Sequence, residues 1–453
     1  MADQEYERDE QLLEARRLKR LELKRKRMIR KRITLGAIFL VLVVLIIVIF
    51  KSCGKKDDQQ ADPPPTEPEN SQQDELPAQT ATATLSAVGD IMVYDSQLAD
   101  ALQSDGTYQF LPSFAPISTL LTASDVTVGN FEANLAGPPY SGKPDFRAPE
   151  SLATTLAGLG FDILQTANTY SIQNGLSGLT GTINAIRSEG MDSLGTYLSA
   201  DDKAQNQVVV KEVNGIRMAF LGFTKGLNNL TLPEGSDYCV DLLYTDYYTT
   251  YNTVDRTAIT QAVAAARAQD PDVIIAMVHW GSEYDTAVSS TQEEIADLLF
   301  QDGVDVILGT HSHIVGPMEM RTVTVDGKEK NVFIAYSLGN FLAAMERDDQ
   351  TYLRESVVLN LEFTKSGDET TISNVDYVPV YLFDNGADAV NRYELRAVYD
   401  VLADQPDAET QTLMEQALTH LKANTASDYE RGASADAPTD PTTPSAGDTG
   451  GTE

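Results

Sequence analysis

The chain has 453 residues, 42% of them hydrophobic, which is enough for one large or two ordinary domains with tails. Its formal net charge of −33 makes nucleic acid a poor partner, because an acidic surface repels a polyanion. The basic residues are concentrated between residues 16 and 32, where Glu22 is the only acidic residue. The two cysteines, Cys53 and Cys239, lie in such different settings that we expect no disulfide between them.

An uninterrupted apolar segment, residues 33–50, follows the basic cluster. In a helix, about 18 residues span about 27 Å, close to the hydrocarbon thickness of a bilayer. We therefore predict a single transmembrane helix at 33–50, with residues 1–32 in the cytoplasm and the main domain extracellular. A cleaved signal peptide is the weaker alternative, because the leader is long and no small-x-small site precedes Lys51. Lipid attachment at Cys53 is disfavoured, because Phe50 and Lys51 stand where small or aliphatic residues are needed.

The composition changes again before the globular part begins. Residues 51–82 are rich in Lys, Asp, Gln, Pro and Glu and cannot bury a core, so we predict a disordered stalk. A globular domain is predicted over 83–390. Its first half alternates between strands and helices, predicted in the order strand 83–88, helix 112–122, strand 125–128, helix 150–159, strand 162–166 and helix 179–188.

Polar residues follow several of these strands. Gly89-Asp90 follows the first strand and Asn130-Phe131-Glu132 the second, which places two carboxylates at the carboxyl edge of a sheet. Arg147, in a loop rich in glycine and proline, is either a surface residue or an anion clamp beside these strand ends.

The second half contains two hairpin signals, Asn214-Gly215 and Asp326-Gly327, each between apolar strands. Antiparallel pairing in a chain of alternating strands and helices predicts a mixed sheet. The remaining predicted elements are helices 257–269 and 291–301, strands 272–279, 305–308, 321–325, 331–336, 356–364 and 371–379, and C-terminal helices 393–402 and 408–424 within a region 391–424. Residues 425–453, rich in Ala, Asp, Thr, Pro and Gly, are predicted to be a disordered tail.

Three of the four histidines lie at predicted strand ends. His311 and His313 follow a β-branched strand, and His279 ends a similar one; taken alone, His279 would be read as an ordinary hydrogen-bonded loop residue. Together with Asp90 and Glu132, however, the three predict a metal site. Imidazole and carboxylate ligands suit zinc, manganese or iron better than calcium.

Six motifs, in this order, resemble the CapA family, which is associated with poly-γ-glutamate capsule synthesis and is similar in fold to calcineurin-like metallophosphoesterases. They are Ala87-Val88-Gly89-Asp90-Ile91-Met92, Asn130-Phe131-Glu132, Phe146-Arg147-Ala148-Pro149, His279-Trp280-Gly281-Ser282-Glu283-Tyr284, Gly309-Thr310-His311-Ser312-His313 and Ser337-Leu338-Gly339-Asn340-Phe341. The resemblance implies an α/β fold, a four-layer αββα sandwich. It also implies that Asp90, Glu132, His279, His311 and His313 bind one or two metal ions, with Arg147 assisting on a phosphate.

One motif departs from the family. Where the family carries Ala-Asn-Asn-His, this chain has Ala167-Asn168-Thr169-Tyr170. The second asparagine would help to bind metal and the histidine would protonate a leaving group, so Thr169 and Tyr170 stand in those places. A tyrosine can donate a proton or hydrogen bond, but less readily than imidazole near neutral pH. Tyr170, Asn168 and Arg147 are therefore the catalytic candidates.

Two functions remain open at this point. The first is a membrane-anchored extracellular metallophosphoesterase-like hydrolase that acts on a phosphorylated or polyanionic envelope substrate. The presence of all five expected ligands, Asp90, Glu132, His279, His311 and His313, favours it. The second is a non-catalytic component that holds an anionic polymer or capsule-synthesis proteins near the membrane, and the Asn168-Thr169-Tyr170 departure favours that one.

Overall fold

The computed structural model describes residues 80–345 and 351–432. The predicted cytoplasmic segment 1–32, the apolar segment 33–50 and nearly all of the predicted stalk lie outside these residues. None of the helices in the described part of the chain is both long enough and apolar enough to cross a bilayer. The prediction of a transmembrane helix at 33–50 therefore stays a prediction.

Two mixed sheets form the centre of the described structure. The first contains eight strands: β1 (Thr80–Ile91), β2 (Val126–Phe131), β3 (Ile163–Gln165), β4 (Asp192–Leu194), β11 (Asn340–Leu342), β12 (Glu355–Ser366), β13 (Glu369–Asp384) and β14 (Tyr393–Ala397). Their order is β14-β13-β12-β1-β2-β3-β4, with β11 paired to β1. Strands β1 to β4 run parallel, whereas β12 is antiparallel to β1.

The second sheet has six strands in the order β5-β6-β7-β8-β10-β9. They are β5 (Val209–Val213), β6 (Ile216–Thr224), β7 (Val273–His279), β8 (Val306–Thr310), β9 (Met318–Val325) and β10 (Lys328–Ala335). Strands β6, β7 and β8 are parallel, while β5 and β9 join as antiparallel edges through the two predicted hairpins. The expectation of mixed pairing is confirmed.

Ten α-helices accompany the strands within the described ranges. They are α1 (Asp95–Ala101), α2 (Leu111–Phe114), α3 (Ser118–Thr122), α4 (Ser151–Gly158), α5 (Gly175–Ser188), α6 (Ala200–Asn206), α7 (Arg256–Arg267), α8 (Ser290–Asp302), α9 (Val398–Ala403) and α10 (Ala408–Thr425). Short 3-10 turns occupy Ala115–Ile117 and Thr351–Arg354.

Successive side chains of each strand point to opposite faces of its sheet, and this alternation determines how the layers pack. In β7, Ile275 and Met277 join a buried core with residues of both sheets, so the sheets pack face to face. Ile274 and Val278 point to the opposite side and pack against α7 and α8. On the outer side of the first sheet, Thr127 Oγ1 donates a 2.9 Å hydrogen bond to a carbonyl of α3. Helices therefore cover the outer face of each sheet.

Three boundaries differ from the sequence prediction. The globular part begins at Thr80, because residues 80–82 continue the pairing of β1 with β12. The predicted helix 393–402 begins as strand β14, because Tyr393 and Leu395 alternate into the core while the backbone pairs with β13. Residues 425–432, assigned to the predicted tail, form part of the described structure: Tyr429 packs on the central core and its backbone accepts a 2.8 Å hydrogen bond from the Tyr377 amide.

Candidate metal centre

All five predicted metal ligands lie at the carboxyl ends of parallel strands, where the edges of the two sheets meet. Asp90 is the penultimate residue of β1 and Glu132 follows β2 in the first sheet; His279 ends β7, and His311 and His313 follow β8 in the second. All are buried: at most 6% of any of the five is exposed to solvent. The edge that parallel strands share therefore brings distant parts of the chain into one buried cluster.

The five side chains form two overlapping groups. In each group the candidate ligand atoms lie within 4.8 Å of one another: Glu132, His279 and His311 in one, Asp90, Glu132 and His313 in the other. Glu132 belongs to both groups. A carboxylate has two oxygens, so this residue could contact an ion in either position.

Two carboxylate oxygens in the cluster are left without a hydrogen bond of good geometry from the described residues, Asp90 Oδ2 and Glu132 Oε1. The amide of Asn130 donates to the other oxygens, at 2.7 Å to Asp90 Oδ1 and 3.2 Å to Glu132 Oε2. The free oxygens face imidazole nitrogens instead, with Asp90 Oδ2 3.0 Å from His313 Nδ1 and Glu132 Oε1 3.5 Å from His279 Nε2. A buried carboxylate oxygen that accepts no hydrogen bond of good geometry is costly, and a bound cation would satisfy it. The residues present therefore fit a divalent transition metal.

The charge states of these residues follow from burial. Burial, together with the charge of Asp90, raises the pKa of Glu132 well above its usual value. Burial lowers the pKa of His279 and of His311, so both imidazoles are neutral and have a lone pair to offer a cation. Burial also opposes the charge on His313, but the neighbouring Asp90 carboxylate outweighs it and raises the pKa of His313 to about 9.

Hydrogen bonds from a second layer of residues orient two of the imidazoles. His279 Nδ1 lies 3.0 Å from Thr310 Oγ1, which leaves Nε2 facing Glu132. His313 Nδ1 lies 3.0 Å from Asn340 Oδ1, and the Asn340 amide is fixed in turn by donating to the Leu353 carbonyl at 3.0 Å. Such contacts set the tautomer and direction of ligating histidines.

The backbone around the cluster is tightly constrained. His311 and His313 both have left-handed backbone angles, with φ of 96° and 62°, which non-glycine residues adopt only when the surrounding structure imposes them. Gly89 precedes Asp90, and a Cβ atom there would lie 1.9 Å from the Gly339 carbonyl oxygen. Only glycine allows β1 and the loop before β11 to approach so closely.

Thr169, one of the two departures from the family motif, lies inside the cluster. Its hydroxyl is 2.9 Å from His279 Nε2 and 3.3 Å from His311 Nδ1. Threonine thus places an oxygen next to two nitrogens that could bind metal, as an asparagine side chain could at the same position. It can also satisfy these nitrogens by hydrogen bonding when no ion is bound.

The three catalytic candidates are placed differently. Tyr170 packs edge-on against Phe146, with ring centres 4.6 Å apart, and burial and the charge of Glu132 raise the pKa of its phenol. Asn168 is buried and donates to Asn130 Oδ1 at 3.2 Å and to the Phe131 carbonyl at 2.8 Å, so it positions residues of the cluster.

Arg147 is held by a different neighbour. Its Nε donates to Asn174 Oδ1 at 3.1 Å, and within the described residues no hydrogen bond or ion pair joins it to the five candidate ligands. Its assignment as an anion clamp stays a prediction.

Several residues of the site were not predicted. Asn130 and Asn340 belong to two of the six family motifs, and an amide side chain at the end of an apolar strand could have identified each as part of the site. Glu283, in the His279-to-Tyr284 motif, contributes to raising the pKa of Glu132. Lys225 follows β6 and lowers the pKa of His311 through its charge. Nothing in the sequence around Lys225 identifies it as a residue of the site.

Among solved structures, two are similar to the fold of this chain at low sequence identity. One is a putative 5'-nucleotidase from Staphylococcus aureus, at 15% identity and a TM-score of 0.42, covering 75% of this chain and 58% of that one. The other is the calcineurin-like phosphoesterase YfkN from Bacillus subtilis, at 15% identity and a TM-score of 0.37, covering 75% of this chain and 100% of that one.

Sequence relatives give a closer match. The PGA biosynthesis protein CapA of Bacillus subtilis (strain 168) is 26% identical over 295 residues, which cover 62% of this chain and 68% of the relative. The capsule biosynthesis protein CapA of Bacillus anthracis is 27% identical over 270 residues, covering 57% of this chain and 59% of the relative. The family model described as bacterial capsule synthesis protein PGA_cap matches residues 84–345, more than half of the chain. The chain therefore belongs to the family of bacterial capsule synthesis proteins that includes CapA.

Proposed function

We propose that this protein is a membrane-anchored extracellular member of the CapA family and acts there as a metal-dependent, phosphoesterase-like hydrolase in the synthesis or assembly of a capsule or envelope polymer. Its substrate would be phosphorylated or polyanionic, with a polymer of the poly-γ-glutamate type suggested by the names of its relatives. The apolar segment 33–50 supports the anchor, and partner proteins of capsule synthesis would be met at the same membrane. The two-sheet architecture supports a four-layer αββα sandwich of the metallophosphoesterase type.

One observation carries the catalytic part of this proposal: two buried groups of candidate ligands share Glu132, and two of their carboxylate oxygens lack hydrogen bonds from the described residues. Asp90, Glu132, His279, His311 and His313 would hold the metal, zinc, manganese or iron. A divalent ion held there would act as a Lewis acid on a phosphoryl oxygen of the substrate.

The residues around the ligands have separate tasks in this proposal. Asn130 holds the two carboxylates in place, and Asn168 holds Asn130. A phenol keeps its proton at neutral pH, and burial raises the pKa of Tyr170 further, so Tyr170 serves as a hydrogen-bond donor to a substrate oxygen. It cannot act as a general base there.

A second function is favoured by the position of Thr169. Its hydroxyl already contacts His279 Nε2 and His311 Nδ1, so these two nitrogens have a hydrogen-bonding partner within the chain. A chain that keeps its histidines satisfied in this way could serve as a non-catalytic component that binds an anionic polymer or assembly partners.

The first experiment measures bound metal and hydrolysis together. Full-length protein is purified and its metal content determined by elemental analysis, beside a His311→Ala/His313→Ala variant. The variant removes one ligand from each group, so near-stoichiometric metal in the natural chain should fall to background, together with hydrolysis of generic phosphomonoesters and phosphodiesters.

His420→Ala is the matched control. His420 is on α10, pairs with Glu355 at 2.9 Å and belongs to neither group of candidate ligands, so its loss should leave the metal content unchanged. Metal that persists in the double variant would contradict the site. Full metal occupancy without turnover of any envelope substrate would favour the non-catalytic function.

A further inference from the structure

Lys225 is the first residue after β6, and it is joined to the metal centre through the backbone. Thr224, before it, pairs with His279 across the sheet. The Lys225 amide then donates a 2.8 Å hydrogen bond to the His279 carbonyl. The lysine is therefore fixed directly beside a candidate metal ligand.

Its side chain is half-buried and turns across the neighbouring loop. Lys225 Nζ lies 2.5 Å from the Gly281 carbonyl oxygen and 4.8 Å from the ring centre of Tyr251. An ammonium group has three donors, and one carbonyl and one aromatic face do not satisfy them all.

No carboxylate of the described residues lies within 4.0 Å of this ammonium group. That is unusual within this chain, in which each other half-buried lysine of the described part forms an ion pair with an aspartate. These pairs are Lys203 with Asp241, Lys211 with Asp192, Lys330 with Asp305 and Lys365 with Asp272. Glu283 is near enough to raise the pKa of Lys225 against the effect of burial, but it is exposed.

Lys225 thus carries its positive charge beside the metal centre, since its backbone is hydrogen-bonded to His279 and its Nζ to the carbonyl of Gly281, two residues further along the chain. Beside a site for a cation, such a charge is unfavourable because it repels the ion. An anion bound between the lysine and the ion would remove this repulsion.

We propose that Lys225 binds a second anionic group of the substrate, a carboxylate or phosphate next to the phosphate held at the metal centre. This rests on the proposed function, since it takes the metal centre as the place where the substrate phosphate binds. The substrate class is then a phosphorylated molecule with a further acidic group close to its phosphoryl group.

The test compares two non-hydrolysable probes on manganese-loaded, full-length protein by titration calorimetry. Phosphonoacetate carries a carboxylate beside its phosphonate, whereas methylphosphonate carries the phosphonate alone. Lys225→Gln should weaken phosphonoacetate binding about tenfold or more, the effect of losing a hydrogen bond to a charged group, and change methylphosphonate binding less than about twofold. Lys225→Arg, which keeps the charge, should retain most of the affinity for phosphonoacetate.

Two further readouts separate this role from a structural one. Lys225→Gln should bind manganese more tightly than the natural chain, because a like charge is removed, while Lys422→Gln, an exposed lysine on α10, should change neither metal nor probe binding. An equal loss for both probes, no loss for either, or no phosphonoacetate binding by the natural chain would overturn the proposal. Turnover of phosphoesters by the natural chain, together with equal phosphonoacetate binding by the natural chain and Lys225→Gln, would reject the role of Lys225 alone. Selective probe binding without any turnover would reject the hydrolase alone.

Discussion

Gly89→Ala should disable the metal centre through the backbone. The added Cβ would lie 1.9 Å from the Gly339 carbonyl oxygen, and an ordinary contact begins at 3.4 Å, so the two segments must separate by about 1.5 Å (3.4 − 1.9). The same carbonyl accepts a 2.9 Å hydrogen bond from the Asp90 amide, which would be lost or stretched. Overpacking of this kind costs about 1–3 kcal/mol. Metal–ligand distances tolerate only about 0.2 Å, so the affinity for metal should fall by far more than the stability.

Two assays on full-length protein measure these effects: urea denaturation for the free energy of unfolding and titration with manganese for the affinity. Gly432→Ala is the control, because a Cβ at Gly432 meets nothing within 4 Å. It should change stability by less than about 0.5 kcal/mol. If Gly89→Ala unfolds like the natural chain and binds manganese within twofold of it, the constraint that we assign to this glycine is wrong.

Two further changes test other parts of the structure. Thr169→Asn/Tyr170→His introduces the two residues that the family carries at these positions, of which the first lies beside His279. Phosphatase activity well above that of the natural chain in a colorimetric assay would show that Thr169 and Tyr170 disable the site. Unchanged activity would show that they do not. Glu355→Gln should flatten the dependence of stability on pH, because burial raises the pKa of Glu355 from 4.5 to about 7. The folded state then holds this proton more tightly than the unfolded state, so the natural chain has the full benefit below about pH 4.5 and loses up to about 3 kcal/mol as the pH rises through about 7. Denaturation midpoints measured between pH 4 and 8 would contradict this if both chains changed in parallel.

The strands that present the candidate ligands could be predicted from the sequence because each is a short apolar segment that ends in a polar residue. β7 and β8 were predicted to within a residue or two, and Asn214-Gly215 and Asp326-Gly327 located both hairpins. Local signals sufficed here, since apolar period and turn chemistry both act within a few residues.

Features that depend on distant partners could not be predicted in this way. Residues 393–397 have a composition that suits a helix, and only the exposed edge of β13 makes them a strand. Residues 425–432 are mostly polar, yet Tyr429 packs against the central core. Lys225 is an unremarkable lysine until the pairing of β6 with β7 places it beside His279.

The candidate ligands are divided between the two sheets: both carboxylates come from the first and all three imidazoles from the second. Any ion that binds all of them would be a cross-link between the two layers, in addition to the apolar core and the ion pairs Lys211–Asp192 and Lys365–Asp272 that already join them. Binding to the folded state alone adds stability in proportion to the logarithm of the free ion concentration. The stability of the contact between the two sheets would therefore depend partly on the metal content of the surrounding medium and not on the sequence alone.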